Sequence, residues 1–236
     1  MKHNRKTIEL FSGTGSFSKI ALENDMQIRT FDIASHAVEL EKGTHSCSDI
    51  LDRSIEYEKE PFILWASPPC TGFSVASIGK NWHKNTNEPK TDSARLGMEI
   101  LHRTVELIRE INPTWWFVEN PRGKMRVKIE SVFNKNGYSI DCGLLSGGMV
   151  RVHQHTVTYC QYGDSRMKPT DIWTNADWWN PKPPCKNGEP CHVSAPRGAR
   201  TGTQGIKGNR LRSIIPPKLF VELFDQVKSN CVGDNA

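Results

Sequence analysis

The sequence lacks any long apolar run: its 236 residues contain nothing near the about 18 consecutive apolar residues that a membrane-spanning helix needs. The basic start, Met1–Lys6, is not followed by the apolar stretch of a secretory signal peptide. Internal repeats and Cys-x-x-Cys pairs are absent as well. We therefore expect a cytoplasmic protein without membrane contact, built as one domain with at most a small appendage.

The cysteine content and the net charge exclude fewer classes of function than the missing apolar run does. The seven cysteines are odd in number and widely scattered. A chain of this length has a core without disulfides, so individual thiols are candidates for catalysis or metal binding. The net charge of +5 permits an anionic partner such as nucleic acid without requiring one.

Strand-like and helix-like patterns alternate along the first part of the chain. Thr7–Phe11 is predicted as a strand, followed by a turn at Ser12–Ser16 and a helix to about Asn24. Gln27–Ile33 is the next predicted strand, and Ser48–Ile50 closes another unit. This alternation predicts an α/β fold, with a mostly parallel sheet and helices on both faces.

Two further apolar runs each end in a reactive side chain. Phe62–Ala66 leads into Pro68-Pro69-Cys70, and Trp115–Val118 leads into Glu119-Asn120. Open α/β sheets bind ligands at the carboxyl ends of their strands, where a cysteine can act as nucleophile and a glutamate can handle protons. Taken singly, Cys70 also fits a small buried apolar residue, and Glu119 a capping or salt-bridged acid. Their joint position favours catalysis.

The connections after these strands differ in character. The polar stretch Thr71–Thr91 is predicted as a mobile loop, followed by a helix that Asp92 or Ser93 caps and that ends before Pro113. From residue 163 to residue 209 the periodicity is lost, and a last helix is predicted over Lys218–Lys228. The predicted organisation is a core over 1–163, a loop-rich insert over 164–209 and a C-terminal segment over 210–236 that returns to the core.

Gly13 and Gly15 follow the first strand and open a helix. Glycines there allow a tight turn and a close approach of the backbone to a ligand, with helix amides pointing into the site. Asp32 ends the next strand, where an acid typically binds ribose hydroxyls. Together the three residues predict a cofactor that contains adenosine.

Taken in order, five motifs carry a family resemblance. They are Phe11-Ser12-Gly13-Thr14-Gly15, Asp32, Ser48-Asp49-Ile50, Pro68-Pro69-Cys70 and Glu119-Asn120. Their series resembles that of cytosine-C5 DNA methyltransferases over most of the chain. The resemblance implies a Rossmann-like fold that uses S-adenosylmethionine. It implies cofactor contacts from Phe11 to the adenine, Asp32 to the ribose, Asp49 to the adenine amino group and the glycine turn to the methionine moiety, with Pro68 and Ser213 completing the set.

The same resemblance implies a covalent mechanism on DNA. Cys70, as a thiolate, adds to C6 of cytosine and activates C5, while Glu119 hydrogen-bonds N3 and the exocyclic amine. A thiol suits this step because it is partly ionised and very nucleophilic near neutral pH. The target base must leave the duplex, and the loop after Cys70 is a candidate lid. The predicted substrate-binding residues are Asn120, Gln154, Arg197 and Arg200.

The sequence departs from the family pattern at two places. Thr156 and Thr158 stand where the family has two arginines after Gln154, and Arg151 or Arg166 are candidates to replace them. The insert is short, and its basic residues suit phosphate contacts as well as an ordinary solvated loop. These basic residues are Arg197, Arg200, Lys207 and Arg210. The departures keep two alternatives open: a methyltransferase for RNA or a modified base, and a catalytically silent nucleic-acid-binding homologue.

Three cysteines and one histidine of the second half of the chain are candidate metal ligands. Cys160, Cys185, Cys191 and His192 have the residue types of a Cys3His zinc site, although their spacing carries no zinc signature. Unligated thiols are the expectation, with a structural zinc site as the alternative. The sequence gives no indication of oligomeric state.

Overall fold

The computed structural model describes residues 5–34, 43–140, 148–194, 206 and 208–233. Its strands are β1 (Lys6–Leu10), β2 (Gln27–Asp32), β3 (Thr44–Cys47), β4 (Ile63–Ala66), β5 (Trp115–Pro121), β6 (Tyr138–Ser139), β7 (Val150–Arg151), β8 (His153–Thr158) and β9 (Pro169–Thr174). Its helices are α1 (Ser16–Glu23), α2 (Ile78–Asn81), α3 (Asp92–Ile111), α4 (Met125–Lys135), α5 (Asn209–Ser213) and α6 (Pro217–Gly233). Short 3-10 turns lie at Val75–Ser77 and Tyr159–Tyr162.

Seven strands form the central sheet in the order β3-β2-β1-β4-β5-β9-β8. Neighbouring strands from β3 to β5 are parallel, and β9 runs antiparallel to both β5 and β8. The chain fills one side of the sheet with β2 and β3 and the other with β4 and β5, so the order reverses between β1 and β4. Such a switch point opens the crevice in which α/β sheets bind ligands. The predicted, mostly parallel α/β sheet is confirmed.

The contiguous apolar runs form strands because both of their faces are covered. All four residues of β4 are fully buried. A strand that is buried on both faces has no solvent side and therefore no alternation of polar residues. Each fully buried large side chain contributes about 1.5–3 kcal/mol relative to an exposed one. The sheet is thus a rigid platform for the residues that follow its strands.

Two helical layers cover the sheet. On one face, α3 and α4 contribute apolar side chains such as Leu101, Val105 and Phe133 to the first core. On the other face, Phe17 of α1 packs against Trp65 of β4, with ring centroids 5.9 Å apart, and α6 belongs to the same second core. The predicted apolar face of the last helix is confirmed. The four predicted residues are buried: Leu219, Phe220, Leu223 and Phe224.

The long helix α3 is confirmed with a shifted start. Its cap is Thr91 rather than Asp92 or Ser93: the Thr91 hydroxyl accepts from the amide of Ala94 at 3.3 Å. The helix ends at Ile111, and the next residue, Asn112, has a left-handed φ of 55°. A hydroxyl that accepts from the third residue along satisfies one of the amides left unpaired at a helix start.

The segment after Cys70, predicted as a mobile polar loop, contains short helical elements. It contains the 3-10 turn and α2, and it buries Trp82, whose indole nitrogen donates to the Gly72 carbonyl at 2.8 Å. Gly72 lies against the start of α3, where an added Cβ would come within 2.7 Å of the Ser93 carbonyl oxygen. The absence of a side chain at Gly72 therefore permits the close contact that fixes the path of the chain beyond Cys70.

The region expected to be a loop-rich insert contributes a strand to the central sheet. β9 lies within 164–209 and pairs with β5 and β8, so the boundary expected at residue 163 does not coincide with the end of the sheet. Residues 175–194, which follow β9, form neither helix nor strand. Within the described parts of the chain, no helix combines the length and apolar character needed to cross a membrane.

Candidate active site

The turn after β1 is built from residues in left-handed backbone conformations. Phe11, Gly13 and Gly15 have φ values of 60°, 48° and 66°. An added Cβ on Gly13 would contact nothing closer than 3.9 Å, so its φ, not lack of space, is what favours glycine. A phenylalanine in this region costs about 1–3 kcal/mol, a strain that is typical of ligand-binding turns.

Asp32 holds this turn in place. Its carboxylate accepts from the Gly13 amide at 2.9 Å and from the Ala34 amide at 2.9 Å. Each carboxylate oxygen keeps a further lone pair, so the group can still accept from a ligand. The hydroxyl of Ser12, in the same turn, is buried without a hydrogen-bond partner in the described structure. Both groups lie at the carboxyl edge of the sheet, next to the switch point.

A buried acid supports the turn from below. Glu9, in β1, accepts from the Ser18 amide at 3.1 Å and from the Ser18 hydroxyl, which ties α1 to the strand. Burial raises the pKa of Glu9 to about 7. No sequence pattern identified this residue, since a single acid within a short strand has no motif.

Cys70 and Glu119 lie together at the ends of β4 and β5. These strands are neighbours in parallel register, with Ala66 opposite Val118. The amide of Asn120 donates to the Pro68 carbonyl at 2.8 Å and so joins the end of β5 to the loop that carries Cys70. Pro68 is buried and Cys70 is half-buried. The two predicted reactive residues are thus brought to one place.

The environment of the two groups favours their protonated forms. Burial raises the pKa of the Cys70 thiol, the negative charge of Glu119 raises it further, and the charge of Lys168 lowers it. Burial also raises the pKa of Glu119, against the opposing effects of Lys168 and of hydrogen bonds from Tyr159 and Ser67. The Tyr159 hydroxyl donates to Oε1 of Glu119 at 3.0 Å.

Lys168 is a functional candidate that sequence reasoning missed. It immediately precedes β9 and has a φ of 28°. Its Nζ lies 4.5 Å from the centre of the Tyr159 ring and donates to the Arg212 carbonyl at 3.0 Å. Burial lowers its pKa, and the charge of Glu119 raises it. No motif marks Lys168, because its proximity to Cys70 arises from the pairing of β9 with β5.

Thr156 receives an arginine from another element. Arg126, in the first turn of α4, donates from Nη2 to the Thr156 hydroxyl at 2.6 Å and from Nε to Asp171 at 2.8 Å. The Thr156 hydroxyl also donates to Asp171 at 2.9 Å. In the amide orientation that satisfies its neighbours, the Gln154 oxygen accepts from Arg126 Nε at 3.1 Å. A guanidinium therefore lies beside the position where the family pattern has an arginine.

The two arginines named as candidate replacements are placed elsewhere. Arg166 pairs with Asp164 and donates to backbone carbonyls of residues 211, 212 and 214. Arg151 is exposed in β7. Thr158 is buried, and its hydroxyl accepts from the Cys185 amide at 2.9 Å. In the described structure, neither Arg151 nor Arg166 hydrogen-bonds to Thr156 or Thr158.

The remaining predicted residues fall into two groups. Asp49 is exposed at the end of β3 and accepts from the Leu51 amide at 3.0 Å. Ser213 is exposed and donates to the Arg210 carbonyl at 2.8 Å. The predictions for Arg197, Arg200 and Lys207 fall outside the described residues.

Comparison with known proteins identifies the family. The fold and site define an α/β protein with a ligand turn beside a cysteine–glutamate pair. The family profile of the C-5 cytosine-specific DNA methylases matches residues 5–155, more than half of the chain. The chain therefore belongs to the C-5 cytosine-specific DNA methylase family, which makes it an enzyme of the DNA (cytosine-5)-methyltransferase class.

Individual relatives are similar to different extents. A protein of Frog virus 3 (isolate Goorha), named "Probable DNA (cytosine-5)-methyltransferase", is 27% identical over 241 residues, covering 93% of this chain and 99% of its own length. A prophage-encoded E. coli protein described as a "putative DNA modification methyltransferase" aligns with a TM-score of 0.49 and 19% identity, covering 72% of this chain. This chain spans 45% of that protein. Magnesium protoporphyrin IX methyltransferase from Synechocystis PCC 6803 aligns with a TM-score of 0.42 and 10% identity, covering 71% of this chain and 67% of its own.

Proposed function

We propose that the protein methylates C5 of cytosine in DNA, with S-adenosylmethionine as the methyl donor and Cys70 as the nucleophile. The observation that carries this proposal is the meeting of Cys70 and Glu119 at adjacent strand ends, beside the glycine turn of β1. A nucleophile and a proton-handling carboxyl group are the two functions that the reaction needs from side chains.

The turn after β1 fits an adenosine-containing cofactor. The Ser12 hydroxyl is a buried polar atom without a partner among the described residues, and Asp32 keeps lone pairs for a ribose hydroxyl. Phe11 and Asp49 would serve the adenine, and Pro68 and Ser213 complete the proposed contacts. When bound, S-adenosylmethionine supplies a methyl group on a positively charged sulfur. It therefore acts as the electrophile.

Cys70 starts the reaction on a base that has left the duplex. Its thiolate forms a bond to C6, and the electron density of the C5–C6 double bond shifts toward C5 and N3, which makes C5 nucleophilic. Lys168 supplies a positive charge that favours the thiolate over the thiol. Asn120 holds the carbonyl of Pro68 and so orients the loop that carries the sulfur.

Glu119 stabilises the activated ring. Burial raises the pKa of Glu119 and so favours the protonated carboxyl group, which would donate to N3 while its other oxygen accepts from the exocyclic amine. Tyr159 fixes the rotation of this carboxyl group through its 3.0 Å hydrogen bond. After methylation the C5 proton passes to water, the C5–C6 double bond re-forms and the bond from Cys70 to C6 breaks.

DNA contacts are proposed for the region that follows β9. This range, 175–209, is narrower than the expected insert 164–209, since β9 belongs to the sheet. Arg197 and Arg200 would contact phosphates, which position DNA without reading its sequence. Gln154, which lies beside the Arg126–Thr156 hydrogen bond, would contact the edge of the base.

Nucleoside mass spectrometry tests the reaction. The protein is incubated with S-adenosylmethionine and mixed-sequence duplex DNA, beside Cys70→Ala and the matched control Cys47→Ala. Cys47 is an exposed free thiol whose Sγ donates to the Ile33 carbonyl at 3.3 Å. We expect 5-methylcytosine from the wild type and from Cys47→Ala, and none from Cys70→Ala, which should still bind the cofactor by calorimetry.

Two further arms separate the alternatives. A 5-fluorocytosine oligonucleotide should trap the wild type covalently, because fluorine at C5 cannot leave as a proton does. Equal turnover by Cys70→Ala would overturn the proposal. Methylation of RNA but not of DNA would transfer the same chemistry to RNA, and cofactor binding without product or trapping would indicate a silent homologue.

A further inference from the structure

Four side chains with metal-ligand chemistry converge away from the candidate active site. Cys160 lies in the 3-10 turn after β8, whereas Cys185, Cys191 and His192 lie in the irregular segment after β9. One ligand atom from each lies within 4.8 Å of every other. The Cys160 and Cys185 sulfurs are 3.0 Å apart, and His192 Nδ1 lies 3.7 Å from the Cys185 sulfur and 3.6 Å from that of Cys191.

These separations are close to those of a tetrahedral site. Zinc–sulfur bonds of about 2.3 Å and zinc–nitrogen bonds of about 2.0–2.1 Å place neighbouring ligand atoms roughly 3.5–3.8 Å apart. Both distances to His192 Nδ1 fall in this range. The two closest sulfurs need to separate by less than 1 Å, roughly, to reach it. Nδ1 is the nitrogen that faces the sulfurs.

The segment that carries three of these ligands has little buried surface. None of residues 182–194 is buried. Hydrophobic burial therefore contributes little to fixing this stretch. Since long segments without secondary structure are uncommon in compact domains, another interaction is expected to stabilise it. Backbone contacts at Cys185 and Val193 keep the ligands facing each other: Cys185 donates to Thr158 at 2.9 Å, and Val193 donates to the Ser165 carbonyl at 2.8 Å.

We propose that Cys160, Cys185, Cys191 and His192 bind one zinc ion in a structural site that anchors residues 182–194 to the end of β8. Three sulfur ligands and one imidazole are a ligand set that selects zinc, and four protein ligands leave no open position for a substrate. Binding releases the three thiol protons to solvent, and the imidazole binds in its neutral form.

The site would act on the active site through one short connection. Cys160 directly follows Tyr159, the residue that donates to Glu119. A metal that fixes Cys160 therefore also restricts the end of β8 from which Tyr159 projects. Metal binding itself is independent of methyl transfer, so its test does not depend on the proposed function.

Metal analysis is the first test. The chain is purified without chelators, and its zinc content is measured by inductively coupled plasma mass spectrometry, beside Cys185→Ser, Cys191→Ser and the control Cys47→Ser. We expect about one zinc per chain in the wild type and in the control, and at least a tenfold loss in the other two variants. Replacement of zinc by cobalt should give the absorption bands of tetrahedral cobalt–thiolate coordination.

Limited trypsin digestion gives a readout that does not require the variants to fold fully. Lys186 is exposed between two of the ligands and provides a cleavage site. In the wild-type protein, removal of zinc by a chelator should accelerate cleavage after Lys186, and added zinc should restore protection. A wild-type protein that holds no zinc or cobalt would overturn the proposal, as would a Cys160–Cys185 disulfide found by mass spectrometry after alkylation.

Discussion

At the scale of single residues, burial raises the pKa of the Cys70 thiol, and two neighbouring side chains modify that effect. One is Glu119, near the end of β5, and the other is Lys168, directly before β9. When ionised, Glu119 raises the pKa of the thiol further, and the charge of Lys168 lowers it. Because a change of one pKa unit is a tenfold change in the thiolate fraction below the pKa, Lys168 is a positioning residue with a measurable electrostatic effect.

Replacement of Lys168 by methionine should make Cys70 less reactive at neutral pH. The substitution keeps a side chain of similar length and removes the charge, so we expect the pKa of Cys70 to rise and turnover at pH 7 to fall about tenfold for each unit of that rise. The measurement is the rate of Cys70 alkylation by iodoacetamide between pH 6 and pH 10, with Cys70→Ala as background.

Lys168→Arg is the matched control, since it keeps the charge and should keep the alkylation profile near that of the wild type. A loss of turnover in Lys168→Met without any movement of the profile would show a role in packing alone. This outcome would refute the electrostatic assignment of Lys168.

Glu9 gives the molecule a pH dependence with a defined sign. Its pKa is raised from 4.5 to about 7 by burial, so the folded state holds a proton that the unfolded state has already lost in this range. Its contribution to stability is therefore full below pH 4.5 and is lost as pH rises through about 7. The difference corresponds to on the order of 3 kcal/mol.

Glu9→Gln should remove this dependence. Glutamine imitates the protonated acid and can still accept from the Ser18 amide, so the variant should be more stable than the wild type at pH 8 and close to it at pH 4.5. Urea unfolding at both pH values measures this. A variant that is less stable than the wild type at pH 8 would contradict the assigned protonation of Glu9.

The residues that could be identified from the sequence are those that follow apolar runs. Cys70 and Glu119 follow such runs, Gly13 follows β1 and Asp32 ends β2, so their meeting follows from parallel pairing alone. Lys168, Tyr159 and Arg126 could not be identified, because their roles depend on where β8, β9 and α4 pack. A lysine before a strand, or an arginine at the start of a helix, is by itself an ordinary surface residue.

At the scale of secondary-structure elements, β9 shows why the second half of the chain was harder to predict from its sequence. Its sequence, Pro-Thr-Asp-Ile-Trp-Thr, begins with proline and contains an acid, which are both uncommon in strands. The buried carboxylate of Asp171 is accommodated because Arg126 and Thr156 bind it. The strand therefore depends on partners 45 and 15 residues away, which local pattern cannot reveal.

Arg126→Met should destabilise the junction of α4, β8 and β9. The Asp171 side chain is 1% exposed and that of Arg126 is 30% exposed, so the substitution leaves a buried carboxylate without its cation. We expect the free energy of unfolding to fall by about 3 kcal/mol, as for other broken buried pairs. Urea unfolding provides the measurement.

A double-mutant cycle with Asp171→Asn tests the cause. Removing the charge in both partners should recover at least about 1 kcal/mol relative to the sum of the single changes. Arg53→Met is the control, because Arg53 pairs with Glu106 at the surface and should change stability by no more than about 1 kcal/mol. Additive single changes at Arg126 and Asp171 would contradict the pairing.

At the scale of the whole molecule, the net charge limits how strongly the surface as a whole would attract DNA. The chain carries 31 basic and 26 acidic residues, a small excess that cannot attract DNA strongly over the whole surface. Phosphate contacts must therefore come from local groups. Arg197 and Arg200, in the segment proposed to contact DNA, are the groups that the sequence offers for this role.

Arg197→Ala/Arg200→Ala should weaken DNA binding to a similar extent on every sequence and reduce its dependence on salt. Each lost phosphate contact lowers the slope of log K against log[salt] by about 0.9, so the double variant should lose about 1.8. Fluorescence anisotropy with labelled duplexes at several salt concentrations measures the slope. Lys186→Ala/Lys182→Ala, which removes two charges from the segment of the proposed zinc site, is the matched comparison. An unchanged slope in the arginine variant would assign these residues to a solvated loop and leave the phosphate contacts to another surface of the molecule.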